Sequence, residues 1–173
     1  VGFIVIPLAA VPLGFNALAA YALAGSMVMA AVIYGISLEQ LLRRDPPAPL
    51  RPLLAIHLAP ISLFGTAAHL LGLQSAALVL AGLASLLLLI LLIRVRYLTA
   101  AGFSPLWGAF TFPFAAWCGL MMALAGQGVG LVFRIAGGIG LVAATMLTIW
   151  ICAKVLRMWA SGTLATKTNA AMA

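Results

Sequence analysis

The sequence predicts an all-α integral membrane protein, made of repeated helical hairpins whose proline-kinked inner helices line a central pore. Three observations lead to that fold class. Apolar residues make up 66% of the 173-residue chain and charged residues only 6%, with a mean hydropathy of +1.26. A soluble domain carries about a quarter charged residues. The apolar residues fall into runs that reach the roughly 20 residues needed to cross a hydrocarbon core of about 30 Å. Finally, Pro7, Pro60 and Pro113 stand at matching depths in three of these runs, 53 residues apart each time (60 − 7 and 113 − 60). The intervening runs lack proline, so the pattern is a kinked helix followed by a straight one, with the period of one hairpin.

Taken in order, residues 1–13 read as the end of a helix whose start precedes them, and the chain as the C-terminal part of a larger protein. Its first residue, Val1, lies in an apolar run without the basic flank of a signal peptide. Five full spans follow over 15–42, 50–72, 74–96, 104–126 and 129–157. Asp45-Pro46-Pro47-Ala48-Pro49 cannot continue a helix and closes the first of them. Pro52 suits the first turn of the next, and Ser104-Pro105 supplies an N-cap followed by a proline at the first helical position. The transmembrane domain thus covers residues 1–158, with a small, polar tail over 159–173.

Charge sets the orientation. Of nine basic residues, Arg43, Arg44, Arg51, Arg94, Arg96, Lys154, Arg157 and Lys167 fall at one side, and only Arg134 lies toward the other. The positive-inside rule then puts the C-terminus in the cytoplasm. The net charge of +7 is therefore assigned to membrane topology and not to nucleic-acid binding. Arg134, a turn inside its helix, suits snorkelling to the headgroups.

Material for catalysis is nearly absent. Glu39 and Asp45 are the only carboxylates, both beside the arginine-rich loop, and no carboxylate pair, nucleophile triad or phosphate loop can be assembled. Cys118 and Cys152 are too few and too isolated for a disulfide framework or metal site, so no cofactor is expected. His57 and His69 lie twelve residues apart on one helix, roughly 18 Å along its axis, which one haem could not bridge. A membrane-embedded redox subunit, with haem or quinone, is the rival class, and a structural membrane subunit a third. Ala136, Gly140 and Ala144 form a small-residue stripe on the last helix, fit for close packing.

An interior proline removes a backbone hydrogen bond, which would free the carbonyls of Phe3, Ile56 and Ala109. In lipid such groups need protein or water, so the three kinks are expected to face a pathway. His57, one turn before Pro60, and Thr111, beside Pro113, are the polar residues expected there. The residues before the prolines break the symmetry: Ile6, Ala59 and then Phe112. A ring beside a mid-membrane kink can plug a narrow pore, which makes Phe112 the candidate gate.

Three stretches resemble one family. Val1-Gly2-Phe3-Ile4-Val5-Ile6-Pro7-Leu8-Ala9 looks like the fifth helix of the tellurite-resistance/dicarboxylate transporter (TehA-like) family, which includes plant slow anion channels. Leu50-Arg51-Pro52-Leu53-Leu54-Ala55-Ile56-His57-Leu58-Ala59-Pro60 looks like its seventh, with histidine where glutamine is frequent. Ser104-Pro105-Leu106-Trp107-Gly108-Ala109-Phe110-Thr111-Phe112-Pro113 looks like its ninth and is the most specific. The resemblance implies a fold of ten helices in five hairpins, of which about five and a half helices are present here. Odd helices would line the pore, even ones would lie outside, and the assembly would be a trimer. It further implies passage or export of small inorganic or organic anions through a bacterial inner membrane, without covalent chemistry, with a phenylalanine at the position of Phe112 occluding the pore.

Overall fold

The computed structural model describes residues 2–43, 45–128 and 130–164, the side chains of 38–43 excepted. The side chains of Glu39 and Arg43, together with Val1, Arg44, Lys167 and the tail from 165 onward, lie outside the described residues.

Every described regular element is helical. The α-helices are α1 (Ile6–Ala10), α2 (Asn16–Arg43), α3 (Leu58–Leu70), α4 (Gln74–Ile93), α5 (Val95–Leu98), α6 (Thr111–Gly126) and α7 (Leu131–Ala160), with 3-10 segments at Gly2–Val5, Ala48–His57 and Pro105–Phe110. Five of the helical stretches are long and apolar enough to cross a membrane, as an integral membrane protein requires. The 20 residues of α4 rise about 30 Å and match a hydrocarbon core. The 30 residues of α7 rise about 45 Å and carry Lys154 and Arg157 beyond it.

One expected boundary shifts for a local reason. The span expected over 74–96 ends at Ile93, where the chain turns at Arg94 before the short α5. The first cations arrive there, and a backbone that has reached water no longer needs every hydrogen bond internally. Ser104 and Pro105 do stand at the N-cap and first helical position, but the Ser104 hydroxyl makes no capping bond.

The larger difference concerns the three prolines. Each was expected inside a continuous α-helix, yet each lies in the first turn of an α-helix that continues a 3-10 segment: Pro7 after Gly2–Val5, Pro60 after Ala48–His57, Pro113 after Pro105–Phe110. The missing N–H costs little in a first α-turn, and tightening the preceding turn relieves the clash between the ring and the carbonyl four residues back. The Ile56 carbonyl, expected to be free, is approached by the Leu58 N–H, which also reaches Ala55. The Thr111 N–H likewise turns back to the Gly108 carbonyl. The bend is thus a change of helix type, ten residues long in the second case, well beyond the three or four usual for a 3-10 run.

Packing sorts the helices into two layers. The proline-bearing α1, α3 and α6 are neighbours in that order, while α2, α4 and α7 each lie against the proline helix preceding them. The stretch containing α3 is the most buried of the five spans. Lipid tails are as apolar as leucine, so helix association here depends on close packing and hydrogen bonds. Small residues supply the packing. Ala77, Ala81 and Ala84 form the buried stripe of α4, and Gly137, Gly140 and Ala144 that of α7. The Ala136–Gly140–Ala144 stripe expected from the sequence is therefore part of the α6–α7 seam, with Ala136 at its edge.

A side-chain hydrogen bond ties the layers midway along the helices: the Trp117 indole N–H of α6 donates to Ser85 Oγ of α4 at 3.0 Å. Ser85→Ala leaves that N–H without its partner. Interhelical bonds of this kind are worth about 1 kcal/mol in membranes, so the thermal midpoint of the purified protein should fall by a few degrees. An unchanged midpoint would show that the bond contributes nothing to the α4–α6 contact.

Candidate functional site

The helix that carries Phe112 has one face left uncovered. Phe112, Ala115, Gly119, Met122 and Gly126 are all exposed, and their spacing of three, four, three and four residues places them on one side of α6; Gly108, in the 3-10 segment before it, is exposed as well. Apart from Met122, Phe112 is the only large side chain of this stripe, and 60% of its surface is uncovered. A Cβ added at Gly108, Gly119 or Gly126 would meet nothing within 4 Å. The faces that α4 and α7 turn outward are different in kind. They carry Leu83, Leu86 and Ile90, or Ile135, Ile139 and Val142, the large aliphatics that suit lipid. A row of glycine and alanine with one ring suits instead a second helix or an open path.

The other expected site residues fall as follows. Pro7 and Pro113 are buried and Pro60 is half-buried, so the prolines shape the α1–α3–α6 layer from within it. Thr111 sits at the start of α6, where its hydroxyl donates to the Gly108 carbonyl at 2.7 Å, and that proton is therefore committed to its own helix. His57, at the 3-10/α junction before α3, packs its ring against Tyr34 of α2, with centroids 5.3 Å apart. The Tyr34 hydroxyl reaches the His57 carbonyl at 3.5 Å. His69, at the opposite end of α3, is buried and pairs through Nδ1 with Gln74 Oε1 at 3.1 Å, tying the α3–α4 turn. Cys118 is buried and Cys152 exposed, both as free thiols. No group of three or more histidine, cysteine or carboxylate side chains is placed to hold a metal among the described residues.

One end of the bundle concentrates cations and rings. Arg51 stacks its guanidinium 4.0 Å from the centre of the Tyr97 ring, with Arg94 6.0 Å from the same ring. The Arg51 Nε–H donates to the Pro46 carbonyl at 3.1 Å, and the Tyr97 hydroxyl to Asp45 Oδ1 at 3.2 Å. These contacts fasten the proline-rich loop to α5. Asp45, beside the arginine-rich loop, thus accepts from a phenol. Lys154 lies 4.2 Å from the Trp150 ring centre and 4.8 Å from that of Phe103. The α3–α4 turn at the other end is free of charge, and Arg134 near the start of α7 lies toward that side.

Comparison with known proteins finds no family model, no curated relative and no solved structure that matches this chain. The uncovered stripe of α6 was within reach of the sequence: Gly108, Ala115 and Gly119 flank Phe112 at i+4 and i+3 spacings. The signal was obscured because Trp107, Phe110 and Phe114 surround it in the linear order, and only helical phase separates them from the open side.

Proposed function

We propose that this chain forms part of the wall of a transmembrane anion pathway, with α1, α3 and α6 facing the conduit and Phe112 narrowing it. One observation carries the reading: the uncovered face of α6, small residues on either side of a single projecting ring. A hydrophobic constriction of that kind gates by excluding water. The two-layer packing supports it, because straight aliphatic helices outside leave the 3-10/α helices to line the interior. The cationic end supports anions as cargo, since arginine and lysine at a mouth raise the local anion concentration. The resemblance to TehA-like proteins adds the remaining helices of the wall, a trimeric assembly and anions such as chloride, nitrate or dicarboxylates. By the positive-inside rule the cationic end, and with it the C-terminus, lies in the cytoplasm of a bacterial inner membrane.

The Thr111 hydroxyl donates to the Gly108 carbonyl and offers no free donor to an ion, while the His57 ring packs on Tyr34. Selection would rest chiefly on potential and pore width, as fits conduction through weak binding. Full-length protein reconstituted in liposomes should pass chloride or nitrate well above empty vesicles and above potassium. Equal leakage of cations and anions would sink the reading. A haem absorbance band in the same preparation would replace it with the redox-subunit alternative.

A further inference from the structure

A recess lies on the opposite side of α6, away from the uncovered face. It opens between α4 and α7, has a volume of about 260 Å³, and its walls are almost wholly apolar. Leu88 and Leu92 of α4, Trp107, Phe110 and Pro113 around the start of α6, and Leu147 of α7 line it. From Leu88 to Val95, another lining residue, the wall rises about 10 Å. The recess thus begins near the cationic end and runs inward along the helices.

Two cations neighbour residues that line it. Arg94 follows α4 directly beside Val95 and is exposed. Lys154 stands two turns beyond the lining residue Leu147 on α7. It is braced between the Trp150 and Phe103 rings, which in turn pack on Trp107 at 5.7 and 5.4 Å. A cation held by an aromatic cluster at headgroup depth, above a greasy slot, is the geometry of a phospholipid seat. Asp45, at the same end, is placed at Tyr97, whose hydroxyl donates to it, while Lys154 is placed at the Trp150 and Phe103 rings.

We propose that this recess seats one acyl chain of an anionic phospholipid, with its headgroup phosphate held between Lys154 and Arg94. The chain gains no hydrophobic free energy by leaving other lipid tails, so preference for this lipid comes from the headgroup. Basic pockets between helices on the cytoplasmic side recognise anionic headgroups in this way. The site is independent of anion passage and rests only on the chain's being embedded in a bilayer.

Native mass spectrometry of the full-length protein, with phosphatidylglycerol and phosphatidylcholine of identical chains, tests the proposal. Phosphatidylglycerol should be retained roughly twentyfold more tightly. Lys154→Gln combined with Arg94→Gln should remove that preference, while Arg157→Gln, which removes the same kind of charge further along α7, should keep it. Lys154→Gln alone should weaken phosphatidylglycerol retention roughly fivefold. Leu147→Trp, which fills the recess and leaves the cations in place, should expel both lipids and guards against misfolding of the charge variants. Equal retention of the two lipids by the wild type would overturn the proposal, as would unchanged binding in Leu147→Trp. Loss of self-association in Leu147→Trp, with lipid binding intact, would assign the recess to a second copy of the chain and overturn it equally.

Discussion

Phe112→Ala should raise anion flux through the reconstituted full-length protein roughly tenfold or more, equivalent to about 1.4 kcal/mol removed from the barrier. The ring is 60% uncovered and stands between Gly108 and Ala115 on a face that otherwise presents almost no side-chain bulk. Truncation would therefore widen the proposed path where the ring projects into it. A buried phenylalanine would behave differently, since removing one from a core costs about 3–5 kcal/mol of stability. For Phe112 the thermal midpoint should scarcely move while flux rises, and Phe112→Leu should give an intermediate flux. A lower midpoint with unchanged flux would make the ring ordinary packing.

The second large effect concerns the α6–α7 seam. A Cβ at Gly140 would lie 2.8 Å from the Cys118 sulfur and 2.9 Å from Trp117 Cζ3. Neither neighbour can retreat easily: Cys118 is fully buried, and the Trp117 ring is anchored through its N–H to Ser85. Overpacking of a tight interior costs about 1–3 kcal/mol, and Gly140→Leu, with three more carbons to place, should reach the upper part of that range. The expected result is a thermal midpoint lower by several degrees, about 2–4 °C per kcal/mol at this chain length, and partial separation of α7 from α6. Gly138 provides the control on the same helix, because a Cβ there meets nothing within 4 Å. Gly138→Ala should be neutral or slightly stabilising through helix propensity. Equal losses at both positions would indicate a general effect of substitution in α7 and no specific seam.

The contrast between these two glycines shows what the sequence could and could not convey. The spans were legible because length, hydropathy and the Pro, Gly and Ser punctuation are local properties. The expected 104–126 corresponds to Pro105–Gly126, and 50–72 to Ala48–Leu70. The Ala136–Gly140–Ala144 stripe was visible as spacing, but spacing alone does not say that Cys118 and Trp117 fill the opposite side. The 3-10 geometry before Pro7, Pro60 and Pro113 escaped notice because a proline forbids one hydrogen bond without dictating how the preceding turn adjusts. For the candidate site, Phe112 stood out by breaking the symmetry of the three prolines. The committed hydroxyl of Thr111 and the contact of His57 with Tyr34 depend on side-chain direction and on a helix 23 residues away, which no local pattern encodes.

The central claim is that the small-residue face of α6 borders water. It is tested most directly by thiol accessibility in membranes, with Cys118 and Cys152 replaced by alanine. Single cysteines at Phe112, Ala115 and Gly119 should react with a charged, membrane-impermeant methanethiosulfonate, whereas cysteines at Leu86 and Ile139, on the outward faces of α4 and α7, should not. Protection at Phe112, Ala115 and Gly119 alike would mean that this face is packed against another helix or lipid, and would contradict the pathway.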